Sequence, residues 1–278
     1  MRTVSIQKVF FNMNNQLFDN LKKLRLSGMR ISLDVRLQEA RANQLDYSDF
    51  LELLVYDEMS VRADRKRSKM LKAADFTGLK TLDQFDWQFN PNLDRKTFYE
   101  LATCAFIRQN RNILFIGPPG TGKTHLAQAI GYEAIKQGCN VRYASIFTLV
   151  REFMKQETFG NEKALNKYLK PDLLIVDDMG LKQLPKRAGE YLFEVIMRRY
   201  EVRSTMMTSN RPIEDWGKLI GDVPTAGAIL DRLLQDIEII PFKGRSYRLK
   251  DRPVNENEND VENQEKGSNF QDSVGGTF

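Results

Sequence analysis

Apolar and polar positions along this 278-residue chain change their period twice. Near the start, Leu17, Leu21, Leu24 and Met29 recur at near-helical spacing. Ser48-Asp49 then opens a second helical pattern through Leu51, Leu54, Val55 and Met59. A small all-helical unit is therefore expected over 17–75, after an N-terminal extension, 1–16, with no clear pattern. The periodicity loosens over 76–110, where Phe76, Phe85, Trp87 and Phe89 precede Asn90-Pro91. These aromatics could cover a ligand or pack on the core, and packing is the expectation; a helix is expected over Arg95–Arg108. From 111 onward short apolar runs alternate with helical spacing. Ile113–Ile116, Val141–Ser145, Leu173–Val176, Thr205–Asn210 and Ile237–Ile240 read as strands. Thr124–Gln137, Phe147–Phe159, Glu162–Tyr168, Gly189–Val202 and Thr225–Leu234 read as helices. Strand and helix alternating five times predicts an α/β core over 111–250: a five-stranded parallel sheet with helices on both faces. Beyond residue 250 the Asn/Glu-rich sequence has too little apolar content to pack, and 251–278 is expected to be a disordered acidic tail.

Composition narrows the class. An apolar fraction of 41% with 28% charged residues is ordinary for a soluble globular protein. No apolar run approaches the roughly 18 residues of a membrane span, and Met1–Phe11 lacks the pattern of a signal peptide, so a cytoplasmic protein with no membrane partner is expected. Cys104 and Cys139 form no C-x-x-C pair and read as small apolar residues. The net charge of +5 hides an asymmetry. Two basic and seven acidic residues lie beyond position 250, which leaves 40 basic against 30 acidic in 1–250. That excess concentrates in the second helix, at Arg62, Arg65, Lys66, Arg67, Lys69 and Lys72. Positions 62, 65, 66, 69 and 72 share a face at spacings of three and four. Such a stripe is either a solvated face or a contact for the phosphates of duplex DNA.

The chemistry-bearing stretch is Gly117-Pro118-Pro119-Gly120-Thr121-Gly122-Lys123-Thr124, between the first strand and the first core helix. This G-x-x-x-x-G-K-T pattern is a phosphate cradle. Glycines let backbone N–H groups converge, the helix N-terminus adds positive potential, Lys123 adds a full charge and the Thr124 hydroxyl can ligate magnesium. His125, the only histidine, reads as a first-turn residue near the phosphates rather than as a general base. In open parallel sheets ligands bind at the carboxyl ends of strands. There Asp177 offers a hard oxygen ligand for Mg2+, Asp178 a group to orient or deprotonate water, and Asn210 a hydrogen bond to that water or to the γ-phosphate.

In order, GPPGTGKTHLAQAIG, DLLIVDDMG, TSNRP, ILDRLL and GRSYRLKD, with the earlier LKKLRLSGM and EMSVRADRKRSKMLKAADF, resemble the insertion-sequence helper ATPases of the IstB (IS21) type. These belong to the AAA+ superfamily and are related to the DnaC and DnaI helicase loaders. The resemblance spans Leu17 to Asp251. It implies an ATPase using ATP and Mg2+ that forms a homo-oligomer (ring, spiral or filament) on double-stranded DNA, remodels it, and recruits an IstA-type transposase. It also implies roles: Lys123 and Thr124 as Walker A, Asp177 and Asp178 as Walker B, Asn210 as sensor 1, Arg232 as an arginine finger completing a neighbour's site, and Arg248 as sensor 2. Without the family Arg232 would read as a surface ion pair with Asp231 or Asp236. One departure stands out. The usual pair is Asp-Glu, whereas Asp178 is one methylene shorter, so slow hydrolysis is expected. A replicative helicase loader and a nucleotide-gated DNA scaffold with negligible hydrolysis remain the alternatives.

Overall fold

A computed structural model describes residues 16–156, 162–180, 184–185, 188–220, 227, 230–232 and 237–250. The extension before residue 16, the acidic tail and most of the helix expected over Thr225–Leu234 lie outside these residues; of that helix, 227 and 230–232 are helical.

Three helices come first: α1 (residues 16–23), α2 (Ser27–Asn43) and α3 (Tyr47–Ala74). The apolar spacing from Leu17 to Met29 suggests one helix, but the chain breaks at Arg25, whose φ is 59°. The Leu26 N–H closes that turn on the Leu21 carbonyl at 2.8 Å. The break folds α1 back so that Leu21, Leu33 and Leu54 meet in a small core of their own. Asp46 caps α3 by accepting from the Asp49 N–H at 2.9 Å. At the other crossing α2 starts directly on α3: a Cβ on Gly28 would lie 2.5 Å from the Glu58 Cα. The Glu58 carboxylate, 5% exposed, accepts from the Gly28 and Met29 N–H groups at 2.5 and 3.2 Å. It thus satisfies donors that the first turn of α2 leaves unpaired.

The helix expected over Arg95–Arg108 is two, α4 (Arg95–Leu101) and α5 (Ala105–Arg108), because Cys104 takes a left-handed φ of 57° between them. The five strands are β1 (Asn112–Ile116), β2 (Val141–Ser145), β3 (Leu173–Met179), β4 (Ser204–Ser209) and β5 (Ile237–Pro241). They are parallel, in the order β2-β3-β4-β1-β5. Between them run α6 (Lys123–Lys136), α7 (Ile146–Gln156), α8 (Glu162–Leu169) and α9 (Ala188–Arg199), with the short α10 (Trp216–Ile220) after β4.

Both sheet faces are covered, which explains the continuous apolar runs. Alternate residues sort into two cores. Ile113, Phe115, Leu173, Ile175 and Met206 face α4, α5 and α6, together with Met70 and Ala74 from the end of α3. Leu114, Leu174, Val176 and Met207 face α7, α8 and α9. The end of α3 is also tied to the edge strand β2: Arg142, 5% exposed, donates to the Ala73 carbonyl at 3.1 Å and to Asp75 at 2.6 Å.

Candidate functional site

The strand-to-helix handover builds the phosphate loop. Gly117, Gly120 and Gly122 have φ of 149°, 79° and 101°. Gly120 is needed sterically as well, because a Cβ there would run into Ser246 of the C-terminal turn. Lys123 lies back across the loop, its Nζ donating to the Gly117 and Pro118 carbonyls at 2.7 Å each. Burial lowers its pKa to about 8, against the pull of Asp177 and Asp178. The loop therefore holds a cation paired only with neutral carbonyls. An anionic oxygen is the partner it lacks.

Asp177 ends the apolar run of β3 and is 1% exposed. Three hydroxyls hold it. Thr124 donates to Oδ1 at 3.0 Å, Thr208 donates to the same oxygen, and Tyr143 donates to Oδ2 at 2.6 Å. Both carboxylate oxygens therefore accept hydrogen bonds within the protein. Asp178 is different. It sits where the β3–β4 register shifts between Val176 and Met179, with a left-handed φ of 66°. Its N–H donates to Thr208 Oγ1 at 3.1 Å. This bulge turns the Asp178 side chain into the cleft while Asp177 stays buried. Burial raises the Asp178 pKa and Asp177 raises it further, with Arg248 and Lys123 opposing. Asn210, just past β4, is fixed by its N–H to the Met179 carbonyl at 2.9 Å and lines the same cleft.

The cleft has a volume of about 530 Å³ and brings Pro119 to His125 together with Asp178, Thr208, Asn210 and Arg248. Its other wall comes from the 76–110 segment. Phe85 and Phe89 line the cleft, whereas Trp87 packs on Phe98 at 5.6 Å between centroids. The expectation that these aromatics pack is thus met by Trp87 and only partly by its two neighbours. His125 faces that wall: Nε2 lies 3.0 Å from the Thr81 carbonyl and the ring meets Phe85 edge-on. Burial lowers its pKa, with the Thr81 carbonyl opposing, and the ring N–H donates to that carbonyl. The C-terminal turn closes over the loop through the Tyr247 N–H to Gly120 carbonyl bond, 2.9 Å, and the Asp86–Lys250 pair, 2.7 Å. That turn carries Arg248 to the cleft.

Arg232 lies elsewhere. With Asn112 and Thr205 it borders a small cavity at the amino ends of β1 and β4, opposite the phosphate loop. It pairs with Asp231 at 3.7 Å and its guanidinium stands 5.4 Å from the Tyr200 ring centroid. Within one chain it takes no part in the site. The basic stripe also divides. Arg62, Arg65, Lys66, Lys69 and Lys72 are all exposed, and of these Arg62 also pairs with Glu58 at 2.6 Å and Arg65 donates to Ser27. Sequence reasoning gave Tyr143 no role and Thr208 none beyond a polar strand end. The signal for Tyr143 was its place on β2, two residues diagonally from Asp177, which the sheet order alone reveals.

The donor set suits Mg2+. Among the described residues no three His, Cys, Asp or Glu side chains cluster as a closed metal site. Thr124 and Asp177 instead bring two hard oxygens together at the phosphate loop, a partial set that could hold Mg2+.

Sheet order and phosphate loop together define a P-loop nucleotide-binding protein of the α/β class. The fold is similar to the crystal structure of the DnaC helicase loader (22% identity, TM-score 0.51, covering 59% of this chain and 96% of that one). It is also similar to AMPPCP-bound DnaA from Aquifex aeolicus (24% identity, TM-score 0.52, 63% and 54%). Within that class, the sequence pattern of the IstB-like ATP binding protein family matches residues 19–254, and the chain belongs to this family. It is 37% identical to an ATP-binding protein of insertion sequence IS5376 from Geobacillus stearothermophilus over 88% of this chain and 98% of the relative. It is 36% identical to that of IS21 from Pseudomonas aeruginosa over 84% and 88%. Among the described residues no helix is long and apolar enough to cross a membrane.

Proposed function

We propose that this chain is an ATP-hydrolysing helper of insertion-sequence transposition that assembles on duplex DNA and recruits a partner transposase. The observation that carries the enzymatic part is the asymmetry of the carboxylate pair. Asp177 is buried and held by three hydroxyl donors, one of them Thr124, while Asp178 is turned into the cleft. Thr124 and Asp177 would hold Mg2+, which supplies charge neutralisation at the β- and γ-phosphates. Lys123 takes a phosphate oxygen in place of its two carbonyls. Asp178 accepts the proton of a water that attacks the γ-phosphorus as the bond to the bridging oxygen breaks, and Asn210 orients that water. Arg248 reaches the same cleft from the C-terminal turn.

Arg232 fits the role of a residue that completes another subunit's site, because it lies at the far end of its own sheet. The helical unit, 17–75, supplies the DNA-contacting face through α3, and insertion-sequence relatives supply the biological setting. The short side chain of Asp178, held on a left-handed bulge, has little freedom to reach the water, which supports slow turnover.

Phosphate release is the direct test. Asp178→Asn should keep ATP binding and lose turnover by about a hundredfold or more, while Asp178→Glu should match or exceed the wild type. A wild type no faster than Asp178→Asn leaves a nucleotide-gated scaffold as the better description.

A further inference from the structure

The Tyr143 hydroxyl has a place in the site that the phosphate loop, the carboxylate pair and the cleft do not account for. Tyr143 is 6% exposed, on β2. Its backbone partner across the sheet is Ile175, so its hydroxyl must reach past one side chain to Asp177 Oδ2, which it meets at 2.6 Å. It does not line the cleft. Thr124 and Thr208, by contrast, do line it, and both bond Oδ1. The carboxylate is therefore gripped from two sides, one oxygen by hydroxyls exposed to ligand and the other by a hydroxyl inside the protein.

Tyr143 is itself held. Phe76 meets its ring edge-on at 6.2 Å. The Tyr143 hydroxyl donates to the carboxylate, which can only accept, so its proton is directed at Asp177.

We propose that Tyr143 is a positioning residue for Mg2+–nucleotide binding: through Oδ2 it fixes the rotamer of Asp177 and so the direction in which that carboxylate presents oxygen at the phosphate loop. The inference rests on the reading of Asp177 as the magnesium-side carboxylate. It goes beyond that reading in assigning the orientation of the carboxylate to a hydroxyl outside the loop and the cleft. Groups that hold a metal-binding carboxylate typically contribute ten- to a hundredfold in metal affinity.

The test uses the full chain and a fluorescent ATP analogue, titrated with Mg2+ and, separately, in excess EDTA. In wild type and Tyr143→Phe the EDTA affinity should coincide, while the Mg2+ concentration for half-maximal tightening rises about tenfold in the variant. Asp177→Asn should abolish the Mg2+-dependent tightening, and Tyr143→Phe added to it should change nothing further. Phe76→Leu, which loosens packing on the same ring and keeps the hydroxyl, should titrate like wild type. A Tyr143→Phe curve that overlays wild type overturns the proposal. So does an equal loss with and without Mg2+, or a Phe76→Leu shift of the same size, since either would mean packing alone. A wild type with no Mg2+-dependent tightening would sink the reading of Asp177 itself, an outcome separate from a silent Tyr143.

Discussion

Lys123 shows how a single side chain stores the state of the site. With Nζ buried between two carbonyls its pKa falls to about 8 from an ordinary 10.5. Between those two values the unfolded chain holds the Lys123 proton and the folded chain sheds it, so the unliganded protein gains stability as pH rises through that window. Nucleotide binding responds in the opposite sense. A triphosphate needs the ammonium, so metal-free ATP affinity should fall by up to about tenfold per unit above pH 8, with proton uptake on binding. Calorimetry in buffers of different ionisation enthalpy would measure that uptake. In Lys123→Ala the affinity should be lower at every pH and the slope above pH 8 should vanish. An unchanged slope would assign the proton to another group. Residue identities at this site were legible in the sequence because G-x-x-x-x-G-K-T and Asp-Asp carry their chemistry in local order. The left-handed φ of Asp178 and the grip of Tyr143 on Asp177 were not, since each depends on how β3 registers with β4 or β2.

At the level of elements, periodicity located all five strands and helices α6, α7, α8 and α9, but not α10, to within a few residues, because burial on both faces of a parallel sheet leaves long apolar runs. It failed where the chain turns without a glycine or proline. Arg25 and Cys104 adopt left-handed φ inside stretches whose apolar spacing continues undisturbed, so one helix was expected where two occur at each place. The tertiary gain explains both breaks: α1 doubles back to bury Leu21, and the α4–α5 corner buries Cys104 completely. The α2–α3 crossing follows the same logic, with Gly28 pressed on the α3 backbone and Glu58 capping α2. Gly28→Ala should force the two helices apart at a cost of about 1–3 kcal/mol. Hydrogen exchange should then quicken across Ser27–Asn43 while amides of β1 and β3 stay protected. Uniform protection in the variant would mean that α2 has room to shift.

Across the whole molecule, charge is sorted by what it already touches. Arg62 and Arg65 lie on the basic stripe, yet both spend their guanidinium groups within the helical layer, on Glu58 and Ser27. Lys66, Lys69 and Lys72 lie further along α3, exposed, on the stretch that docks on the core through Met70, Ala74 and the Arg142 contacts. The two arginines, though exposed, are already engaged within the helical layer, so the three lysines are the first candidates for contact with an external polyanion. Each phosphate neutralised by a free lysine adds roughly 0.9 to the slope of log affinity against log salt. Changing Lys66, Lys69 and Lys72 together to Gln should lower that slope for random duplex by up to about 2.7 with little change in thermal stability. Arg62→Gln should do the reverse: the slope stays close to wild type, while stability drops because the buried Glu58 loses its cationic partner. Fluorescence anisotropy across a salt series, with melting curves on the same samples, separates the two. If the triple substitution leaves the slope where it was, α3 does not carry the backbone contacts, and the proposed DNA binding needs another surface or fails.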